Sequence, residues 1–350
     1  MDCMGDTSVP LHIVKAVAPI RICDNGGWTD TWFAGHGKVF NIGVHPCVEV
    51  QVKVHPIGAL ADRIMLDAEN YGDRYTFDPG ALPNRHPLLE AAIDDVGLPD
   101  EISVEINVFS EVPAGCSTGT SAAATVALIG ALDALTPGAM TPHEVAYAAH
   151  RIEVDRLKTQ SGIQDQLCAA YGGINYIEMF SYPHALVSQL ALSNAVWWEL
   201  ERRLVLVFLG RTHVSSEVHQ QVIAGLAGEG EDSPHLDELR KAAEQARDAV
   251  QAGDFAALGR AMTENTDSQR RLHTSLVSQE AQAAIEIAAA NGALGWKVNG
   301  AGGRGGSITL LCGPDMPAKR RMLRALRQAD PLFEVIPTHL SQHGLRVWST

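Results

Sequence analysis

Val48, Val50, Val52 and Val54 alternate with Glu49, Gln51 and Lys53. A period of two predicts a strand with one buried face, here over Cys47–Val54. Ile102, Val104, Ile106 and Val108 repeat the pattern, and Ile13–Ile22 reads as a third strand. Leu204–Leu209 (LVLVFL) is apolar without interruption, as in a strand buried on both faces. Gly295–Val298 and Ser307–Leu311 predict two paired strands around a glycine loop, and Val335–Pro337 a short one. Ser121–Leu135 is dense in Ala, Val and Leu with no proline, which predicts a buried helix. Pro142–Lys158 predicts another, with Thr141 as its N-cap. Gln164–Ala170 predicts a short helix ending at Gly172-Gly173. Residues 236–290 read as three helices broken near Gly253 and Ser275, and Lys319–Gln328 as an amphipathic helix. The mixture is an α/β (α+β) chain. The pattern changes after about Asn194, so two domains are expected, 1–194 and 195–350.

The 350 residues are 46% hydrophobic and 19% charged, enough to build a substantial core. A nucleic-acid binder would normally show a basic face, and the formal net charge of -14 argues against one, so no nucleic acid is expected as a partner. An anionic ligand would need local positive potential, from backbone N–H groups, a helix start or a divalent cation. The six cysteines include no C-x-x-C pair and read as free thiols in a reducing compartment. The opening MDCMGDTSVP lacks the apolar centre of a leader, and the longest apolar run, Ala122–Leu132, is too short to span a bilayer. No membrane association and a cytoplasmic location are the expectation.

Candidate chemistry begins at Val112–Ala124 (VPAGCSTGTSAAA), just ahead of the predicted buried helix. Pro113, Gly115 and Gly119 shape a loop whose backbone can approach an anion closely. The first N–H groups of a helix have no internal partner and point toward such a ligand. The hydroxyls of Ser117, Thr120 and Ser121 can bond phosphate oxygens or reach Mg2+. No lysine follows the glycines, so this is not the G-x-x-x-x-G-K-[ST] loop. From composition alone, a phosphate cradle and a polar loop capping a helix stand level.

The run resembles the second motif of the GHMP kinase superfamily, which is proline, three residues, then glycine–leucine–glycine–serine–serine–alanine. Ser117-Thr118 stands here where glycine–leucine is usual, and Thr120 where the first serine is. Ala18-Pro19-Ile20-Arg21-Ile22 followed by Gly26-Gly27-Trp28-Thr29-Asp30 resembles the first motif, in a form close to fucokinases. Heptose-phosphate kinases carry a third glycine in place of Trp28. Gly300–Gly306 resembles the third motif. It also fits G-x-G-x-x-G, but a strand-like SITLL follows instead of a helix, so a dinucleotide loop is excluded.

The resemblance implies the GHMP kinase fold: a ribosomal-protein-S5-like N-terminal domain, a ferredoxin-like C-terminal domain and a site between them. It implies ATP and Mg2+ as cofactors and a sugar or sugar phosphate as acceptor. By the same resemblance Asp165 in GIQDQLCAAYGG lies beside the acceptor hydroxyl and Arg21 beside the reacting oxygen. Glu153 completes a magnesium site with Ser121, and Gly27, Asp30, Thr212, Gly302 and Gly303 fall on the substrate side. On local sequence alone Asp165 reads equally as a helix-start carboxylate. Lys297 and Arg304 flank the glycine loop and are open between phosphate contact and surface charge. A fucokinase-like acceptor phosphorylated at the anomeric oxygen is the expected function. A D-glycero-D-manno-heptose 7-phosphate kinase is the alternative, and a silent sugar-binding regulator is an alternative of another class. Homodimerisation is left open.

Overall fold

The computed structural model describes residues 9–350 apart from 81, 137, 212–219, 221, 226–229 and 303–304. Seven strands form the body of the first sheet: β1 (His12–Asn25), β2 (Gly37–Pro56), β3 (Ile64–Ala68), β4 (Asp73–Thr76), β5 (Ile102–Ser110), β6 (Ile174–Ser181) and β7 (His184–Gln189). Four make a second, antiparallel sheet: β8 (Leu204–Phe208), β9 (Ala293–Val298), β10 (Ser307–Cys312) and β11 (Glu334–Ile336), in the order β11-β8-β10-β9. The last two, β12 (His339–Leu340) and β13 (Arg346–Ser349), return to the first sheet, β12 on β2 and β13 on β1. The segment expected as a second domain, 195–350, therefore does not keep to one sheet.

The alternating valines behave as their period requires. Val48, Val50, Val52 and Val54 are buried, with Glu49 exposed between them. β2 is much longer than the predicted Cys47–Val54. It begins at Gly37, pairs first with β6 and then with β5, and shifts register against β1 around the cis peptide His45–Pro46.

Helices α1 (Pro87–Val96), α2 (Thr120–Asp133), α3 (Pro142–Arg151) and α4 (Gln164–Tyr171) cover the first sheet. α2 packs on β1 and β2 on one side and on α1, α3 and α4 on the others. That is why its sequence is apolar all round, with Leu128, Ile129 and Leu132 fully buried, each stabilising the fold by about 2 kcal/mol relative to exposure. Thr141 caps α3 through a reciprocal box with Glu144. The helix predicted through Lys158 stops early. At Arg151 it gives way to a π-helical turn, Ile152–Arg156, closed by the Leu157 N–H on the Ile152 carbonyl. Such turns concentrate at functional sites, and this one carries Glu153.

α5 (Asn194–Arg203) leads into β8, and α6 (Pro234–Ala252), α7 (Phe255–Leu272), α8 (Gln279–Ala290) and α9 (Met316–Ala329) complete the second half. The breaks expected near Gly253 and Ser275 are present. β9 and β10 are antiparallel neighbours on either side of the glycine loop, and it is strand β10 that follows the loop.

A buried polar seam joins the halves. Asn265 on α7 accepts from the Gly26 N–H at 2.7 Å, and Asn299 accepts from the Cys23 N–H at 3.1 Å. Lys297 on β9 is fully buried, not a surface charge. Its ammonium meets Asp24 Oδ1 at 3.2 Å and Gln269 Oε1 at 3.1 Å. Burial pulls the Lys297 pKa down, and the facing Asp24 pulls it back up. Removing one member of such a pair strands the other charge. Lys297→Met is expected to lower unfolding stability by about 3–5 kcal/mol in urea titration, and Asp24→Asn added to it to recover at least half.

Candidate active site

Arg21, near the end of β1, is 4% exposed and bonds both the Val112–Ala124 loop and the segment that carries Asp165. Its Nε donates to Asp165 Oδ1 at 2.8 Å and its Nη2 to Asp165 Oδ2 at 3.2 Å. Its Nη1 donates to the Ser117 carbonyl and lies 3.9 Å from Asp24 Oδ1. Its backbone N–H donates to the Thr118 carbonyl at 2.9 Å. Burial opposes the guanidinium charge, but Asp165 and Asp24 outweigh it and hold the pKa above its ordinary value. A side chain added at Gly300 would lie 3.0 Å from Arg21 Nη2, so the glycine loop also closes onto this arginine.

The Val112–Ala124 loop delivers the start of α2 to the same point. Gly119 is its N-cap, left-handed at φ +70°, and no side chain caps the helix. A Cβ at Gly119 would stand 3.1 Å from the Asp165 carboxyl group, so glycine here lets that carboxylate sit against the loop. Ser121 is exposed and Thr120 half-exposed toward the cleft, and Thr118 Oγ1 lies 3.2 Å from Thr120 Oγ1. Ser117, where related loops carry glycine, holds a left-handed φ of +58°, and Trp28 holds +80°. Both backbones have the conformation glycine adopts freely and other residues adopt at a cost of roughly 1–2 kcal/mol.

These groups line one cleft of about 830 Å³, within the range of small-molecule sites. Trp28, Asp30, Thr31, Ser161, Gly162 and Gln164 line it, as do Asn70, Tyr71, His86, Leu88, Leu89 and Val108. Asp30 is buried and accepts from the Gln164 backbone N–H at 3.0 Å and from its Nε2 at 3.3 Å. A Cβ at Gly162 would fall 2.0 Å from Asp30 Oδ2, so only glycine leaves the carboxylate room. Burial pushes the Asp30 pKa up to about 6, opposed by the Gln164 N–H and reinforced by Asp165. Glu153 also lines the cleft and accepts from Gln166 Nε2 at 2.8 Å. Burial pushes its pKa up to about 7, and among the described residues no Lys, Arg or His pairs with it. A desolvated carboxylate short of a cation, in the same cleft as the Ser121 hydroxyl and an uncapped helix start, fits a divalent ion bound with phosphates.

The structure thus brings together Arg21, Asp30, Gly115, Ser117, Gly119, Thr120, Ser121, Glu153 and Asp165. Three expected residues stand behind the lining. Pro113 lies between Val112 and Ala114, both of which line the cleft, and does not line it itself. Gly27 packs against Asp24 and Gln164, where a Cβ would meet Asp24 Oδ2 at 2.8 Å. Gly302 faces the Leu276 carbonyl, 2.0 Å from where its Cβ would be, and Gly300 and Ala301 line the cleft instead. Thr212 and Gly303 lie outside the described residues. Asp24, Gln164, Gln166 and the residues around Asn70 and His86 were not singled out from sequence. Only the two glutamines carried a local signal, as the immediate neighbours of Asp165.

The family profile described as GHMP kinases N terminal domain matches residues 88–173, and that described as GHMP kinases C terminal matches 246–331. D-glycero-alpha-D-manno-heptose 7-phosphate kinase of Campylobacter jejuni is 26% identical over 247 residues, 71% of each chain. Mevalonate kinase of Thermococcus sibiricus is 30% identical over 257 residues, 70% of this chain and 69% of that one. L-fucokinase/L-fucose-1-P guanylyltransferase of Bacteroides fragilis is 22% identical across 96% of this chain, which spans 38% of that protein's length. The crystal structure of a D-glycero-D-manno-heptose 1-phosphate kinase from Bacteroides thetaiotaomicron superposes with a TM-score of 0.72 at 22% identity, covering 96% of this chain and 98% of that one.

The Asp30 pKa yields a test with a definite sign. Its folded value, about 6, lies above the ordinary 3.8, so the folded state holds the proton more tightly. The ionised group therefore costs stability, a cost that grows as pH rises from 3.8 to 6 and stays constant above. Asp30→Asn is expected to raise the melting temperature at pH 8, by an amount equivalent to on the order of 1–3 kcal/mol. The same variant is expected to weaken binding of any polyhydroxylated ligand, as measured by calorimetry.

Proposed function

Within the GHMP kinase family, to which this chain belongs, we propose that it transfers the γ-phosphate of ATP to a hydroxyl of a monosaccharide, at the anomeric oxygen. The observation that carries this reading is the convergence on Arg21 of Asp165, the Ser117 loop and the Gly300 loop. Phosphoryl transfer asks chiefly for positioning and charge compensation. Arg21 fixes both oxygens of Asp165 from behind, leaving the carboxylate's open side, 28% exposed, to orient an acceptor hydroxyl and take its proton. The guanidinium then lies within reach of the negative charge that develops as the proton leaves. The uncapped start of α2 and the hydroxyls of Thr120 and Ser121 suit the nucleotide's phosphates. Glu153 and Ser121 would hold Mg2+, which neutralises phosphate charge when bound. Tyr71, His86, Leu88 and Val108 offer the nucleobase an apolar, aromatic wall.

Asp30 is the acceptor-side anchor, a carboxylate oriented to receive sugar hydroxyls. Around Asp30 the described lining carries Asp24, Asp30 and Asp165 against Arg21, a balance that suits a neutral sugar better than one already phosphorylated. A second reading, a sugar phosphate as acceptor, is favoured by the similarity to the Campylobacter jejuni heptose 7-phosphate kinase.

ADP release with Mg·ATP, measured across neutral monosaccharides and their phosphates, tests both readings. A neutral sugar is expected to stimulate release most. A sugar phosphate as the better substrate would replace the first reading with the second, and no sugar-stimulated release from folded protein would overturn both. Asp165→Asn is expected to lower kcat roughly 100- to 10,000-fold. Its KM for Mg·ATP should stay within about threefold.

A further inference from the structure

The first turn of α4 is Gln164-Asp165-Gln166. With 3.6 residues per turn, consecutive side chains point about 100° apart, so one turn can reach three different neighbours. Asp165 reaches Arg21 at the centre. Gln164 donates Nε2 to Asp30 at 3.3 Å. Gln166 donates Nε2 to Glu153 at 2.8 Å.

Each glutamine pays for its contact. Gln164 is 6% exposed and Gln166 1%, and each leaves its Oε1 buried with no hydrogen-bond partner. Buried carbonyls of this kind are destabilising, and folded proteins keep few of them. Turning either amide over would not help, because Oε1 would then face a carboxylate oxygen, acceptor against acceptor. The half-satisfied orientation is therefore imposed by the carboxylates served. A leucine of similar volume would carry no orphaned oxygen, yet two such sites flank the residue at the reaction centre. Among the described residues neither Asp30 nor Glu153 forms an ion pair; Asp30 is otherwise held by the Gln164 backbone N–H at 3.0 Å and Glu153 by Ser161, so each amide is one of the few donors its carboxylate has.

We propose that Gln164 and Gln166 are a matched pair of positioning residues. Gln164 sets Asp30 for the acceptor and Gln166 sets Glu153 for the metal–nucleotide, so that one helical turn holds both substrate sides in register with Asp165. This rests on the kinase reading above. The pairing predicts a separation that a merely structural role would not produce.

The test uses the full chain with Gln164→Leu, Gln166→Leu and the isosteric Gln164→Glu and Gln166→Glu, which preserve shape if leucine does not fold. Mg·ADP affinity is read by calorimetry. KM values for Mg·ATP and for the sugar most active in the ADP-release panel are read by kinetics. The Gln164 variants are expected to raise the sugar KM about tenfold or more, with Mg·ADP affinity within about threefold of wild type. The Gln166 variants are expected to weaken Mg·ADP about tenfold or more and to raise the Mg2+ needed for half-maximal rate, with the sugar KM within about threefold. Variants that shift both substrates equally, or neither, overturn the pairing while leaving the kinase reading intact. Wild-type protein that binds Mg·ADP but shows no sugar-stimulated turnover overturns the kinase reading instead, and Gln166 is then still judged by its effect on Mg·ADP.

Discussion

A single buried cation organises this site. Arg21 is almost wholly enclosed, and an enclosed guanidinium must be matched by acceptors on nearly every side. Asp165 supplies two, the Ser117 carbonyl a third, and Asp24 a more distant charge. Each acceptor belongs to a different stretch of sequence, so satisfying one arginine forces α4, the Val112–Ala124 loop and the end of β1 together. Asp24 extends the constraint across the seam, where Lys297 and the Gly300 N–H meet it. The candidate site and the joint between the two halves are thus parts of one charge-compensated chain, Asp165–Arg21–Asp24–Lys297.

Two positions beside that chain carry a side chain where some related sequences carry glycine. Ser117 and Trp28 hold left-handed backbones that glycine would hold without strain. Ser117 is pinned by its carbonyl on Arg21, and Trp28 packs among Leu236, Leu239 and Leu276 beneath the cleft. Local strain survives because the surroundings fix these residues from several directions. In each case a side chain is placed at the cleft wall where glycine would leave none.

Much of the fold was legible because its periods are strong. The valines of β2, the all-apolar α2 and the breaks at Gly253 and Ser275 each follow from local chemistry. The hairpin of β3 and β4 was not, because five and four residues are too few to establish a period. β13 was missed because all four of its residues are exposed, so burial leaves no pattern there. In the site, Arg21, Asp30, Glu153 and Asp165 were readable because they sit in motifs whose order along the chain matches the GHMP kinases. Asp24 and Lys297 were not. They are 273 positions apart, and nothing local to either says that the other lies beneath it. Gly27 and Gly302 illustrate the converse. Their place in a motif suggested substrate contact, and in the structure each also has neighbouring atoms too close for a Cβ.

If the Arg21 fork aligns the reacting groups, its geometry should matter beyond its charge. Lysine keeps the charge but cannot hold both oxygens of Asp165 and the Ser117 carbonyl at once. The decisive measurement is the single-turnover rate of phosphoryl transfer in Arg21→Lys, beside its Mg·ATP affinity. The account predicts a rate at least roughly 100-fold lower with nucleotide affinity within about threefold. A near-normal rate, or a loss confined to Mg·ATP affinity, would contradict it.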